Sequence, residues 1–112
     1  MKKLEIVIRH SCLYAVKAAL LELGVRGMTT YEVKGFGRQG GHRESYRGKE
    51  ILVDFSAKLK VEIILEDSMV EPVIKAVCDT AVTGAVGDGK IFVLPLEDVI
   101  RIRTRERGEE AL

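Results

Sequence analysis

Cysteine, aromatics, net charge and long apolar runs are all scarce in this chain, and each shortage excludes a class of protein. Only two cysteines, Cys12 and Cys78, occur in 112 residues. They stand far apart in helix-like contexts, which is neither a disulfide framework nor metal-ligand spacing, so both read as reduced structural residues. Eighteen basic against seventeen acidic side chains leave a formal charge of +1. No global field therefore draws the chain to nucleic acid or anionic lipid, and any positive patch must be local. No apolar run is long enough to span a bilayer, and Met1 to Glu5 alternate in polarity instead of opening an unbroken apolar signal segment. The expectation is a soluble cytoplasmic protein. A chain of this length fits one domain with a real core, too small to enclose a large ligand alone, and sites on such domains often lie between subunits.

What is present is an ordered series of periodicities. Leu4, Ile6 and Ile8 alternate with Lys3, Glu5 and Arg9, the pattern of a half-buried strand. Ser11 stands where a helix N-cap is wanted, Leu13, Val16, Leu20 and Leu23 recur at helical spacing, and Gly24 ends the run. Thr29 to Lys34 is rich in threonine, tyrosine and valine, a second strand, and Leu59, Val61, Ile63 and Leu65 alternate with charged residues as a third. Ser68 and Glu71 have the spacing of a capping box. Val70, Val73, Ile74, Val77 and Ala81 form an apolar stripe behind them, with Pro72 assigned to the first turn. Ile91 to Leu96 is continuously apolar and reads as a strand covered on both faces, with Pro95 at its end or at an edge.

The order βαββαβ is that of an α+β, ferredoxin-like domain over residues 1–112, an antiparallel sheet carrying both helices on one face. Val7 and Ile64 place apolar groups on the other face too, which suggests that sister subunits cover it. Residues 35–54 are too long for an ordinary connection between strands 2 and 3. They are polar enough to stay flexible unless a ligand or partner orders them. Residues 99–112 form a C-terminal segment.

The chemistry concentrates in three places. Thr83 to Phe92 sets Gly84, Gly87, Gly89 and Lys90 ahead of an apolar strand, so that backbone N–H groups can approach a phosphate with a lysine beside it. A second glycine cluster, Gly35 to Gly41, contains Arg38 and Gln39, and Arg101 and Arg103 supply further cations. Taken alone, the glycines of 84–89 are equally a helix stop and a tight turn. Arg105, Arg107 and Lys60 read as solvated edge or strand residues. A phosphate-transferring enzyme is disfavoured, because no Walker lysine and serine motif, no paired acidic metal ligands and no positioned base appear. His10, Ser11 and Cys12 lack a third ligand or base. An RNA-binding module of the same element order fails as well, since the central strands carry aliphatics and charges where such sheets expose Phe and Tyr.

Across nearly its whole length the chain resembles the PII nitrogen-regulatory signalling proteins. The motifs that carry the resemblance are Gly27, Met28, Thr29; Glu32 to Gln39; Tyr46, Arg47, Gly48; Val53, Asp54, Phe55; Thr83, Gly84; Gly87 to Pro95; and Arg101 to Thr104. The resemblance implies a homotrimer that binds ATP or ADP in clefts between subunits, with Mg2+ and 2-oxoglutarate beside ATP, and acts on target proteins through the long loop. It assigns the nucleotide to Gly27, Met28, Thr29, Gly37, Arg38, Gln39, Ile64, Gly87, Asp88, Gly89, Lys90, Arg101 and Arg103. It assigns 2-oxoglutarate to Gly37, Gln39, Gly41 and Lys58, magnesium to Gln39, and target contacts to Tyr46, Arg47 and Ile51. It implies a regulator instead of an enzyme. The expected targets are an ammonium transporter or a nitrogen-metabolism enzyme or regulator, with no nucleic acid and a membrane reached only through a transporter.

Some positions depart from that pattern. Ile51 stands where enterobacterial members carry a uridylylated tyrosine, and Lys49 where cyanobacterial ones carry a phosphorylated serine, leaving Ser45 and Tyr46 as the loop hydroxyls. Gly40 replaces a common lysine, His10 a common proline, and Arg105 the usual glycine. A divergent adenine-nucleotide sensor that answers to a different small molecule is the alternative reading.

Overall fold

The computed structural model describes the backbone of residues 1–36, 42–46, 49–53 and 55–112, and the side chains of 1–36 and 55–112. The elements are β1 (Lys2–Ile8), α1 (Leu13–Glu22), β2 (Thr29–Gly35), β3 (His42–Tyr46), β4 (Lys49–Val53), β5 (Ser56–Leu65), α2 (Asp67–Ala81) and β6 (Lys90–Pro95). The main sheet has four strands in the order β2-β5-β1-β6, every neighbour antiparallel. This is the ferredoxin-like arrangement expected from the sequence, with β3 and β4 added as a separate two-stranded ribbon. The long stretch between β2 and β5 is therefore built around a hairpin, which its polar composition does not announce. Phe36 and Phe55 meet edge to face at 6.4 Å where it leaves and rejoins the sheet.

Alternation decides which face is buried. Leu4, Ile6 and Ile8 of β1 lie beside Leu59, Val61, Ile63 and Leu65 of β5, and Val16 and Leu20 of α1 and Val70, Val73, Val77 and Ala81 of α2 close over them. These are the positions the periodicities pick out, except that Leu23 is exposed and Leu13 and Ile74 only pack at the margin. Helix α1 ends as Gly24 predicts. With Gly24 at φ +89, its N–H reaches the Leu21 carbonyl and that of Val25 reaches Leu20, a Schellman closure that turns buried Val25 into the core.

Three local expectations are corrected. Ser11 does not cap α1: His10–Cys12 form a 3-10 turn, and Cys12 occupies the N-cap position with no side-chain bond. Ser68 and Glu71 do not form a capping box, because α2 begins one residue before Ser68 with Glu66 at the N-cap. Pro72 is the sixth residue of α2, past the first turn, and the Ser68 carbonyl that loses its partner there lies at the exposed surface, where water can serve it. Of the two cysteines, both free, Cys12 packs against the core while Cys78 is exposed on α2.

β6 is an edge strand, as Pro95 allows, and within one chain it is not covered on both faces: Phe92, Val93 and Leu94 are exposed. Register places Phe92 and Leu94 beside Glu5 and Lys3, on the face away from the helices. There Lys3 bridges Glu5 at 3.3 Å and Glu62 at 3.2 Å, Lys60 reaches Glu5 at 3.5 Å, and the Tyr31 hydroxyl donates to Glu62 at 2.6 Å. Lys60, expected to be merely solvated, thus belongs to a cross-strand network and also sits 5.2 Å over the Tyr31 ring.

Candidate functional site

The polar chemistry gathers at the two ends of the sheet. At one end lies Lys58, third residue of β5, which is only 7% exposed and donates from Nζ to the Gly87 carbonyl at 2.5 Å. Burial, and next the positive charge of Arg9, hold its pKa below the ordinary lysine value, while Asp88 partly offsets them. Arg9, just past β1, donates from one guanidinium nitrogen to the Val86 carbonyl at 3.1 Å and to the Asp88 carboxylate at 3.3 Å. Two cations therefore grip successive carbonyls of the glycine loop.

Asp88 organises that loop from within. Its carboxylate accepts the N–H groups of Thr83 at 2.8 Å and Gly84 at 3.0 Å and also the Thr83 hydroxyl. The hydroxyl first, then the Thr83 amide, with Gly84 and Arg9 adding to them, lower its pKa from 3.8 to about 2. Because the folded pKa is depressed, its contribution to stability is present above the unfolded value near 3.8 and fades as pH falls toward 2. Asp88→Asn should flatten the acid limb of a thermal-unfolding profile between those values, and a limb identical to wild type would remove this role. Beside it Gly89 has φ +108, and a Cβ there would stand 1.8 Å from the Val7 carbonyl oxygen, so the loop lies directly on β1. Lys90 is exposed at the start of β6.

At the other end, a cleft of about 550 Å³ is lined by Gly27, Met28 and Thr29, by Ile64 of β5, and by Ala111 and Leu112 of the C-terminal segment. That segment leaves β6 beside Met1, through the Leu96 N–H to Met1 carbonyl bond, and Arg101 is tied to the cleft wall by the bond its guanidinium donates to the Leu112 carbonyl. Arg101 pairs with Glu106 at 3.0 Å, whereas Arg103 is exposed with no described acidic partner. Arg105 adopts φ +63, which explains the glycine usual there, since a side chain in the left-handed region costs about 1 kcal/mol. Arg107, expected to be solvated, pairs with Asp98 at 2.9 Å.

The two ends stay apart within one chain. Lys58 and Ile64 are six residues apart on one strand, about 20 Å at ~3.3 Å per residue. Lys58, Gly87, Asp88, Gly89 and Lys90 thus come together, as do Gly27, Met28, Thr29, Ile64 and Arg101, but not one group with the other. Gly37, Arg38, Gln39, Gly41 and Arg47 lie outside the described residues, as does Gly40. Tyr46 ends β3 and Ile51 lies in β4 opposite Glu44. Among the described residues no group of three His, Cys, Asp or Glu side chains could hold a metal ion, and no helix is long and apolar enough to cross a membrane. Sequence reasoning missed Arg9 and Glu106. Continuing the β1 alternation by one residue would have put Arg9 beside Lys58, but nothing local marks Glu106.

By architecture, then, the chain is a ferredoxin-like α+β domain whose polar chemistry sits at the two ends of its sheet. A family model described as Nitrogen regulatory protein P-II matches residues 1–106. Nitrogen regulatory protein P-II from Azospirillum brasilense is 54% identical over 112 residues, covering 100% of both chains, and the protein of that name from Rhodospirillum rubrum matches to the same extent. The crystal structure of Arabidopsis thaliana PII bound to citrate superposes with a TM-score of 0.81 at 43% identity, over 99% of this chain and 91% of that one. The chain belongs to the P-II family of nitrogen regulatory signalling proteins.

Proposed function

We propose that this chain is a metabolite sensor that binds ATP or ADP at clefts between the subunits of a homotrimer, takes up 2-oxoglutarate beside ATP, and regulates target proteins through the segment between β2 and β5. The observation that carries the reading is the separation of the two half-sites. A cation-gripped glycine loop at one end of β5 and, at the other, a cleft whose wall mixes Met28 and Ile64 with polar residues cannot serve one nucleotide within a single chain. A neighbouring copy can bring its cleft to this chain's loop. In such a site Met28 and Ile64 face the base, and the loop amides with Lys90, Arg101 and Arg103 face the phosphates through charge-assisted bonds. The face away from the helices, with its exposed Phe92 and Leu94, is the surface for the sister copies.

Lys58 meets a carboxylate of 2-oxoglutarate, and Gly37, Gln39 and Gly41 close over the acid, with the Gln39 amide oxygen a hard donor suited to Mg2+. Citrate on the Arabidopsis protein supports a site for small carboxylates in this fold. Arg38 adds a further cation at the phosphates. Tyr46, Arg47 and Ile51 meet the target, an ammonium transporter or a nitrogen-metabolism enzyme or regulator. Ile51 has no hydroxyl to accept a uridylyl group, so bound metabolites alone set the state at that position.

Calorimetric titration with ATP and Mg2+, followed by 2-oxoglutarate with and without that ATP, tests the reading. Uptake of 2-oxoglutarate only in the presence of MgATP is the expected result. ATP binding without any response to 2-oxoglutarate would favour a sensor of another small molecule, and binding of neither would overturn the proposal.

A further inference from the structure

We infer that Glu106 is an internal counter-ion that competes with an incoming phosphate for Arg101, and that this exchange loosens the C-terminal segment from the cleft. The inference rests on the nucleotide reading above. Glu106 holds Arg101 twice: its backbone carbonyl accepts the Arg101 N–H at 2.9 Å, and its carboxylate accepts the guanidinium at 3.0 Å. The second terminal nitrogen of the same guanidinium donates to the carbonyls of Glu110 at 3.4 Å and Leu112 at 3.3 Å. Leu112 and Ala111 in turn line the cleft beside Gly27 and Met28. One side chain therefore ties the acidic residue, the chain's last residues and the cleft wall together.

A guanidinium offers its donors in a rigid fork, and both terminal nitrogens of this one are already engaged. A phosphate that takes the two terminal nitrogens together must displace the Glu106 carboxylate, which it also repels as a like charge. The pair is 36% and 39% exposed, so a displaced carboxylate passes directly into water. The other cations of the segment do not duplicate the arrangement, because Arg107 is held by Asp98 and Arg103 by no described acid. Glu106 therefore lowers phosphate affinity while contributing nothing to the base, and the tail carbonyls lose their donor when phosphate wins.

Full-length wild type and Glu106→Gln would be titrated with ATP, inorganic tripolyphosphate and adenosine. The variant should bind ATP and tripolyphosphate about threefold more tightly, the scale of an exposed ion pair, with adenosine unchanged. Unchanged or weaker phosphate binding would overturn the inference, and so would a gain shared by adenosine, which would mean only a looser cleft. Hydrogen exchange on wild type needs no variant. Tripolyphosphate should accelerate exchange at the Leu112 amide, and an unaltered rate would remove the link to the tail. If neither protein binds ATP or tripolyphosphate, the nucleotide reading itself falls and takes this inference with it.

Discussion

Gly89→Ala is expected to destabilise the fold by about 3 kcal/mol or more, measured by urea unfolding at neutral pH. Two penalties coincide at this position. The backbone sits at φ +108, where a side-chain-bearing residue is strained, and the new Cβ would lie 1.8 Å from the Val7 carbonyl oxygen and 2.9 Å from its carbon. Those atoms belong to β1, which is paired on both sides, so they cannot retreat without disturbing the centre of the sheet. The loop must move instead, away from Lys58 and Arg9. Gly27→Ala is the control, since a Cβ there meets nothing within 4 Å and needs no unusual φ. A cost at position 89 no larger than at position 27 would contradict the packing argument.

Lys58→Met should weaken 2-oxoglutarate binding by roughly thirtyfold, the loss of one charged hydrogen bond of about 2 kcal/mol, while ATP affinity changes by less than about threefold. Lys58 is the buried cation of the described structure, and its depressed pKa records how unfavourable that burial is. The unfolded chain holds this proton more tightly than the folded one, so folding is favoured as pH rises through the folded pKa, and at neutral pH the wild type carries the cost. Methionine keeps the apolar stem and drops the charge but also gives up the bond to the Gly87 carbonyl. The unfolding free energy is accordingly expected to shift by no more than about 1 kcal/mol. Equal losses for the oxoacid and for ATP would show that Lys58 acts only by shaping the glycine loop.

Much of the fold was legible because one-sided burial writes a period into each element. Leu4, Ile6 and Ile8 had to alternate to face α1 and α2, and Gly24 had to stand where a left-handed residue closes a helix. The failures arose where the deciding interaction is not periodic. Ser11 and Ser68 are good capping residues, yet the helices begin elsewhere because the core contacts of Val16 and Val70 set their phase. β3 and β4 were missed because His42–Tyr46 is polar almost throughout and Ile51, Leu52 and Val53 run together without the alternation that marks a strand. The apolar run of β6 suggested cover on both sides, but composition records only that residues are apolar, and within this chain Phe92, Val93 and Leu94 stay exposed. At the site, the glycines and lysines were visible from spacing. The inward turn of Asp88 and the hold of Glu106 on Arg101 depend on how loops close, and no residue pattern encodes that.

The ladder on the face away from the helices has an electrical consequence. Lys3 and Lys60 are interleaved with Glu5 and Glu62, two charges of each sign. Hydrogen bonds that Lys3 donates to Glu62 and Glu5 raise its pKa, and those that Glu62 accepts from Tyr31 and Lys3 lower its own, which widens the pH range over which both stay ionised. From a distance such an array is a quadrupole, and its field dies within a Debye length of about 8 Å in physiological salt. Close approach of another surface to this face is therefore nearly blind to ionic strength. Salt dependence belongs to the ends of the sheet, where Lys90 and Arg103 have no described acidic partner and Asp88 offsets the charge around Lys58 only in part.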